Sequence, residues 1–353
     1  MTDVDALVIG GGQAGLAAAH ALRRDGFEPV VLEAGAEPVG SWPSYYDSLS
    51  LFSPARYSSL PGLPFPGDPD RYPRRNEVVD YLRRYAKLLV DESAVDIRAR
   101  HRVETVHSGG TSFEVRTTDG QRVRARVLIA ATGSFGRPYR PELPGLDSFT
   151  GVVLHAAEYR EPTPFAGQRV VVVGAGNSAV QLGAELAAHA RVTLATRKPV
   201  AVVPQRPLGR DVHFWSTALG IDAAPIGHLL ANPPHPPVLD LGRYRAALAA
   251  GRPDQRRVFT AVDGHRVTWP DGTREHVDTI VLATGYRPDL PYLAGIGALG
   301  EDGRPRQRRG LSTTHPGLGF VGLEWQRSLA SATLRGVGRD ARHLVRLLRR
   351  TRR

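Results

Sequence analysis

At 353 residues the chain has material for two domains of ordinary size or one large one, each with a core of its own. It contains no cysteine, which excludes disulfides, thiolate metal sites and any redox-active cysteine pair, so electrons in a redox protein of this sequence must travel on a bound cofactor. The 46 basic residues outnumber the 35 acidic ones and leave a net charge of +11, but only Lys87 and Lys198 are lysines and the arginines run through the whole chain, a compositional preference rather than one concentrated nucleic-acid surface.

The opening Met1-Thr2-Asp3-Val4-Asp5 leads straight into an apolar run, Ala6–Ile9, so no secretory leader is expected, and no run reaches the ~18 apolar residues of a membrane span. The expectation is a cytoplasmic protein with neither membrane nor nucleic acid as partner. Val8-Ile9-Gly10-Gly11-Gly12-Gln13-Ala14-Gly15 follows, a G-x-G-x-x-G turn between a strand and a helix over Leu16–Arg24, with Glu33 closing the next strand, Pro29–Leu32. In such a turn Gly10 permits the sharp bend, Gly12 lets the backbone approach a pyrophosphate, and Gly15 lets helix and strand close up. The helix N-terminus supplies N–H donors and positive potential.

Further on, Val123–Ala131 reads as a buried strand ending in Ala131-Thr132-Gly133. The second nucleotide unit is Val170–Val173 followed by Gly174-Ala175-Gly176-Asn177-Ser178-Ala179, a G-x-G-x-x-A variant opening a helix over Val180–Ala190, and then a strand over Val192–Thr196. Glu33 lies 23 residues after Gly10, and Arg197 lies 23 residues after Gly174. A carboxylate suits a free ribose 2′-hydroxyl and repels a 2′-phosphate, whereas Arg197, with Thr196 and Lys198 beside it, suits the phosphate. The first unit is therefore assigned FAD and the second NADPH.

Residues 199–253 hold nine of the 28 prolines, densest at Pro233-Pro234-His235-Pro236-Pro237, and are expected to form an irregular excursion without long elements. Arg206, Arg210, His213 and Trp215 are expected to decorate that loop rather than face substrate. A strand over Thr279–Ala283 ends in Ala283-Thr284-Gly285-Tyr286, so two small-residue turns bracket the second unit. Ala341, Leu344, Val345 and Leu348 fall at i, i+3, i+4, i+7, with arginines around them, which predicts a terminal amphipathic helix carrying a solvated basic face. The fold class is α/β, with two Rossmann-like domains: an FAD domain over 1–150 and 289–353, interrupted by an NADPH domain over 151–288. Little length is left for a substrate lid, and an open pocket is expected.

Between the units runs Phe149-Thr-Gly151-Val-Val-Leu-His155-Ala-Ala-Glu-Tyr159, which resembles the fingerprint of the flavin-containing monooxygenases; the related Baeyer–Villiger enzymes usually end it in Trp. Gly40-Ser41-Trp42, the run Leu51–Gly62 and Gly322-Leu-Glu-Trp325-Gln326 further resemble small bacterial members, including those associated with arsenic-resistance operons. The resemblance implies that NADPH reduces FAD, that reduced flavin captures dioxygen as a hydroperoxide, and that one oxygen atom passes to a small nucleophile (sulfide, amine or metalloid) or to a ketone. It places Gln13, Ala14, Ala34, Gly40, Ser41, Trp42, Ser53, Val103, Ala131, Thr132, Gly133 and Gln326 around the flavin nucleotide. Gly176, Asn177, Ser178, Ala179, Thr284, Gly285 and Tyr286 lie around the nicotinamide nucleotide. His155 and Asn177 are the catalytic candidates, with an interdomain linker role preferred for His155. The expected partners are a small-molecule substrate and dioxygen, no metal is expected, and a homodimer is left open. An NADPH-driven reductase feeding a partner or small acceptor is the alternative. The missing cysteines exclude its disulfide-reducing form.

Overall fold

The computed structural model describes residues 1–230 and 237–350, so the proline run at 233–236 and the last arginines lie outside the described residues. In chain order the strands are β1 (Thr2–Ile9), β2 (Pro29–Leu32), β3 (Asp96–Arg98), β4 (Val103–Ser108), β5 (Phe113–Thr117), β6 (Arg122–Ala130), β7 (Val152–His155), β8 (Arg169–Val173), β9 (Arg191–Thr196), β10 (Val202–Pro204), β11 (Val238–Asp240), β12 (Asp254–Arg257), β13 (Ala261–Asp263), β14 (Arg266–Thr268), β15 (Arg274–His276), β16 (Thr279–Leu282), β17 (Gln307–Arg308), β18 (Leu311–Ser312) and β19 (Leu318–Phe320). The helices are α1 (Gln13–Arg24), α2 (Arg75–Ser93), α3 (Asn177–Leu186), α4 (Val212–Ala218), α5 (Arg243–Ala249) and α6 (Leu334–Arg350).

Strands β19, β6, β1, β2 and β3 lie side by side and parallel in the first sheet, with β17 and β18 extending one edge and the antiparallel pair β4–β5 joined to the start of β6. β1 and β2 end in unbroken apolar runs because both faces of the sheet are covered. On one face, α1 contributes Ala17, Ala18 and Ala21, small enough for α6 to pack close, and α6 brings Val337, Ala341, Leu344, Val345 and Leu348 into the same core. The stripe expected from spacing is thus the buried stripe. The second sheet runs β12-β9-β8-β16-β7, parallel throughout, with α3 on one face and the β13–β15 meander on the other, where Phe259 and Trp269 fill the core. α1 and α3 begin three residues before the predicted starts, because the glycine turns feed directly into helical backbone.

The chain leaves the first sheet after β6 and returns after β16, and the two connections brace each other. Tyr139 N–H donates to Gly285 O at 2.9 Å, Arg287 N–H to Arg137 O at 2.9 Å, and the Thr284 hydroxyl to Tyr139 O at 2.5 Å. The Arg287 guanidinium sits 4.3 Å from the centre of the Tyr139 ring.

Among the described residues the proline-rich excursion holds only short elements, α4, α5 and the parallel pair β10–β11 among them. It does not hang free. Asp222, 1% exposed, pairs with Arg335 at 3.3 Å and lies 3.8 Å from Arg339, while Gly227 N–H donates to Arg327 O at 2.9 Å. Arg335, expected on a solvated helix face, is instead only 11% exposed at its side chain, and the excursion crosses onto the half of the molecule that holds the first sheet. Among the described residues no helix is long and apolar enough to cross a membrane. An Asp222→Ala substitution leaves Arg335 charged and largely covered without its partner, so urea unfolding should show a loss of about 3 kcal/mol; an unchanged midpoint would mean the pair does not fasten the excursion.

Candidate functional site

β1 ends at Ile9 and the chain turns at Gly10, whose φ of +103° puts it in a conformation side chains rarely adopt. A Cβ on Gly10 would lie 2.7 Å from Ala131 O, and one on Gly15 only 1.7 Å from Gly10 O, so α1 can pass behind β1 only with glycine at both positions. α1 has Gly12 as its N-cap, no side-chain cap and no acid in its first turn. Its first N–H groups are therefore left for an anion. The buried Glu33 carboxylate reaches back to this turn and accepts from Gly11 N–H and Gly35 N–H, both at 2.6 Å. Ala34 is exposed next to it. His101 N–H donates to Glu33 O, which brings Val103, two residues on, toward the same end of the site.

Some of the other residues expected around this nucleotide meet at the same turn. A Cβ on Gly40 would lie 2.8 Å from Gly12 Cα, and one on Gly322 would lie 2.6 Å from Ala14 Cβ. Gln13 joins two more segments, accepting from Trp42 Nε1 at 3.2 Å and donating to Ala332 O at 2.7 Å. Ser41 caps the short turn that carries Trp42. Thr132 donates to Asp289 O at 2.6 Å and so fastens the Ala131–Gly133 turn to the returning chain. Ser53 shares a hydroxyl contact with Ser58 at 2.9 Å. Gln326 departs from expectation: it is buried, donates to Phe320 O at 2.6 Å and accepts from Leu323 N–H at 3.3 Å. Its amide shapes the 320–326 turn and is not left free for a ligand.

The second turn repeats the first with one variation. Gly174 has φ +146°, and a Cβ there would lie 2.3 Å from Ala283 O; Gly176 has open space, with nothing within 4 Å of where its Cβ would be. Ala179 stands where the first unit needs Gly15 and is fully buried. α3 likewise has no side-chain cap and no acid in its first turn, so both turns fit a diphosphate. Asn177 and Ser178 open α3 and are half-buried. Arg197 and Lys198 are exposed just past the end of β9, and among the described residues neither makes an ion pair. Thr196 corrects the expectation that it helps hold a phosphate: it is 3% exposed, and its hydroxyl accepts from Gln255 Nε2 at 3.3 Å.

Between the two turns runs a line of aromatic rings. Trp42 and Tyr45 are 5.6 Å apart, Tyr45 and Phe135 4.5 Å, Phe135 and Tyr286 5.3 Å, and Tyr286 and His155 5.1 Å. Burial pushes the Tyr45 hydroxyl up to about 12, so it stays neutral. His155 is fully buried; its Nδ1 accepts from Ala157 N–H at 3.1 Å, which leaves the proton on Nε2 to donate to Gly285 O at 3.1 Å. Burial first, and the charge of Arg140 after it, hold its pKa below the usual histidine value against the pull of its Gly285 bond. With both nitrogens engaged by backbone, the ring ties β7 to the Gly285 turn and has none left for a substrate proton. The rest of the fingerprint is equally structural: Gly151 makes room for the Phe149 ring, and Tyr159 donates to Glu185 at 3.0 Å.

The excursion supplies residues that sequence reading missed. Asp211 accepts from Tyr72 at 2.6 Å, from Gln205 at 2.8 Å, and from His213 through both backbone N–H at 2.8 Å and Nδ1 at 2.7 Å. Burial pushes its carboxyl up, but these hydrogen bonds outweigh that and hold it below the usual aspartate value. The His213 ring lies between Phe52 and Tyr57, about 6 Å from each and nearly parallel to both. His213 was expected on a loop surface; it is instead a buried clasp between the excursion and the loop that carries Phe52 and Tyr57. Neither motif nor spacing marks it, because the two rings it stacks against are 156 and 161 residues away in the chain.

Comparison with known proteins agrees with this geometry. Residues 7–208 match the family model described as pyridine nucleotide-disulphide oxidoreductase. A flavin-containing monooxygenase from Stenotrophomonas maltophilia superposes with a TM-score of 0.87 at 34% identity, each chain covered completely. This chain belongs to the flavin-containing monooxygenase family. It is also 31% identical to an uncharacterized CzcO-like oxidoreductase from Geobacillus kaustophilus over 97% of each chain. It is 30% identical to indole-3-pyruvate monooxygenase YUCCA1 from rice over 81% of this chain and 77% of the relative. The family consists of FAD- and NADPH-dependent oxidoreductases, and the two uncapped glycine turns are where their dinucleotides fit.

Acid should loosen this site. Burial holds His155, His20 and His343 below the usual histidine pKa, so below about pH 6.5 the unfolded chain takes up protons that the folded chain refuses. The stability from keeping them neutral is present above that pH and lost as pH falls. Urea midpoints should drop between pH 7.5 and 5.5, and by less in His155→Gln; a midpoint that rises on acidification would contradict the neutral assignment.

Proposed function

We propose that the protein is an NADPH-dependent FAD monooxygenase that places one oxygen atom from dioxygen on a small nucleophile, a sulfide, amine or metalloid, or on a ketone. The observation that carries the nucleotide assignment is the unlike pair at one offset. Buried Glu33 closes the first unit, where a 2′-phosphate would meet a carboxylate, while Arg197 and Lys198, exposed and without an ion pair among the described residues, close the second. Oxygenation is supported by the likeness to the Stenotrophomonas enzyme along the whole chain, and the relative named for indole-3-pyruvate brings 2-oxo acids into the range of ketones to be tested.

When bound, FAD supplies hydride acceptance and dioxygen activation. The chain's own part is to hold and to shelter. The α1 and α3 N-termini fix the two diphosphates. The connections at 137–139 and 284–287 keep the two turns facing one another, and His155 anchors the linker to one of them. The aromatic line from Trp42 to Tyr286 and the excursion clasped at Asp211 keep water from the space between.

Arg197→Ala should raise the KM for NADPH at least tenfold while changing that for NADH less than twofold; equal changes would remove the assignment. With ¹⁸O₂ and a panel of sulfides, amines, arsenite, ketones and an aromatic 2-oxo acid, at least one product should gain a single labelled oxygen. NADPH oxidation without labelled product across the panel, combined with reduction of an added electron acceptor, would favour the reductase reading.

A further inference from the structure

The arginines are spread through the sequence, yet the fold gathers cations without counter-ions at one place. β9 and β12 are parallel neighbours, and their register sets Thr196 opposite Arg257. The side chains of β12 alternate. Arg256 turns to the meander side, its guanidinium 5.1 Å from the centre of the Trp269 ring, whereas Gln255 reaches the Thr196 hydroxyl. Arg257 shares the Gln255 side, the face on which α3 packs, and ends level with the last residue of β9. Arg197 and Lys198 follow at once. All three cations are exposed, and among the described residues none is paired with a carboxylate. Asp254, the acid nearest in sequence, begins β12 at its far end and is engaged by Thr193 and Arg256. Three like charges at one strand edge repel one another unless an anion sits among them. The same edge lies outside the carboxyl end of the parallel sheet, beside the α3 turn that fits a diphosphate.

We infer that Arg257 is the second arm of a phosphate clamp, closing with Arg197 on the ribose 2′-phosphate of the nicotinamide nucleotide, and is a specificity-determining residue for it. The inference rests on the NADPH reading above. Arg197 comes from the residue that follows β9 and Arg257 from the strand beside it, so the two guanidinium groups approach the phosphate from different sides. Each offers paired N–H donors to its oxygens. Gln255, by holding Thr196, keeps the two strand ends level.

The test is calorimetric titration of the FAD-loaded protein with 2′,5′-ADP and with 5′-ADP, which differ only in the 2′-phosphate. The parent should prefer 2′,5′-ADP. Arg257→Ala should weaken 2′,5′-ADP roughly tenfold and leave 5′-ADP unchanged, Arg257→Lys should recover part of the loss, and Arg245→Ala, an exposed arginine on α5, should do nothing. The flavin spectrum should be the same in all of them. The ratio of kcat/KM for NADPH to that for NADH should fall by the same factor in Arg257→Ala. If Arg197→Ala discriminates between the two ligands and Arg257→Ala does not, the clamp is overturned and the NADPH reading stands. If the parent itself does not distinguish them, the NADPH reading falls, and the clamp with it.

Discussion

Backbone packed directly against backbone is the constraint on which everything else in this protein depends. At both nucleotide turns the strand end meets a neighbouring strand exit with no room for a side chain, Gly10 against Ala131 and Gly174 against Ala283, and at the first the helix start is as close, Gly15 against Gly10. Each contact involves a carbonyl, which cannot be pushed aside as a flexible side chain can. Because the helices start so close to the strand ends, their first N–H groups point outward into the crevice, and neither helix spends them on a cap of its own. The uncapped N–H groups are a consequence of that packing.

The same close contacts decide how the two halves sit. Ala131 and Ala283, against which Gly10 and Gly174 lie, are the residues at which the chain leaves one sheet and later the other. A nucleotide turn and a domain crossing therefore share atoms on each side, and the two crossings are hydrogen-bonded to one another. A shift of either turn would be felt at His155, whose Nε2 rests on the Gly285 carbonyl. The linker histidine thus serves geometry in preference to acid–base chemistry, and its low pKa follows from burial among backbone groups already matched to its neutral form.

The nucleotide turns, the strands that feed them and the terminal helix were legible because their causes are local. Glycine at a tight bend, an apolar run with both faces covered and a stripe at helical spacing each leave a mark within a dozen residues. The unlike ends of the two units, Glu33 and Arg197, were legible for the same reason. Misread residues had local signals that pointed elsewhere. Thr196 sits beside two cations in sequence, but as the last residue of β9 it turns inward to Gln255. Gln326 follows a turn in the position of a flavin contact, yet its amide is used up on Phe320 and Leu323. Arg335 belongs to an arginine-rich face and is still largely covered, because Asp222 arrives from an excursion more than a hundred residues away.

By itself, then, the amino-acid sequence determined the α/β class, the two nucleotide turns and which end of each carries which charge, since strand, turn and helix chemistry act between near neighbours. Only the tertiary structure decided what those turns face. The excursion between β9 and β12, which composition marks as irregular, closes onto the half that holds the first sheet through Asp211, His213 and Asp222, and an arginine with no motif around it is set by strand register opposite Thr196, one residue before Arg197. Those outcomes depend on pairings across 60 to more than 150 residues, where the deciding quantities are burial, charge balance and register. None of the three exists until the sheets have formed.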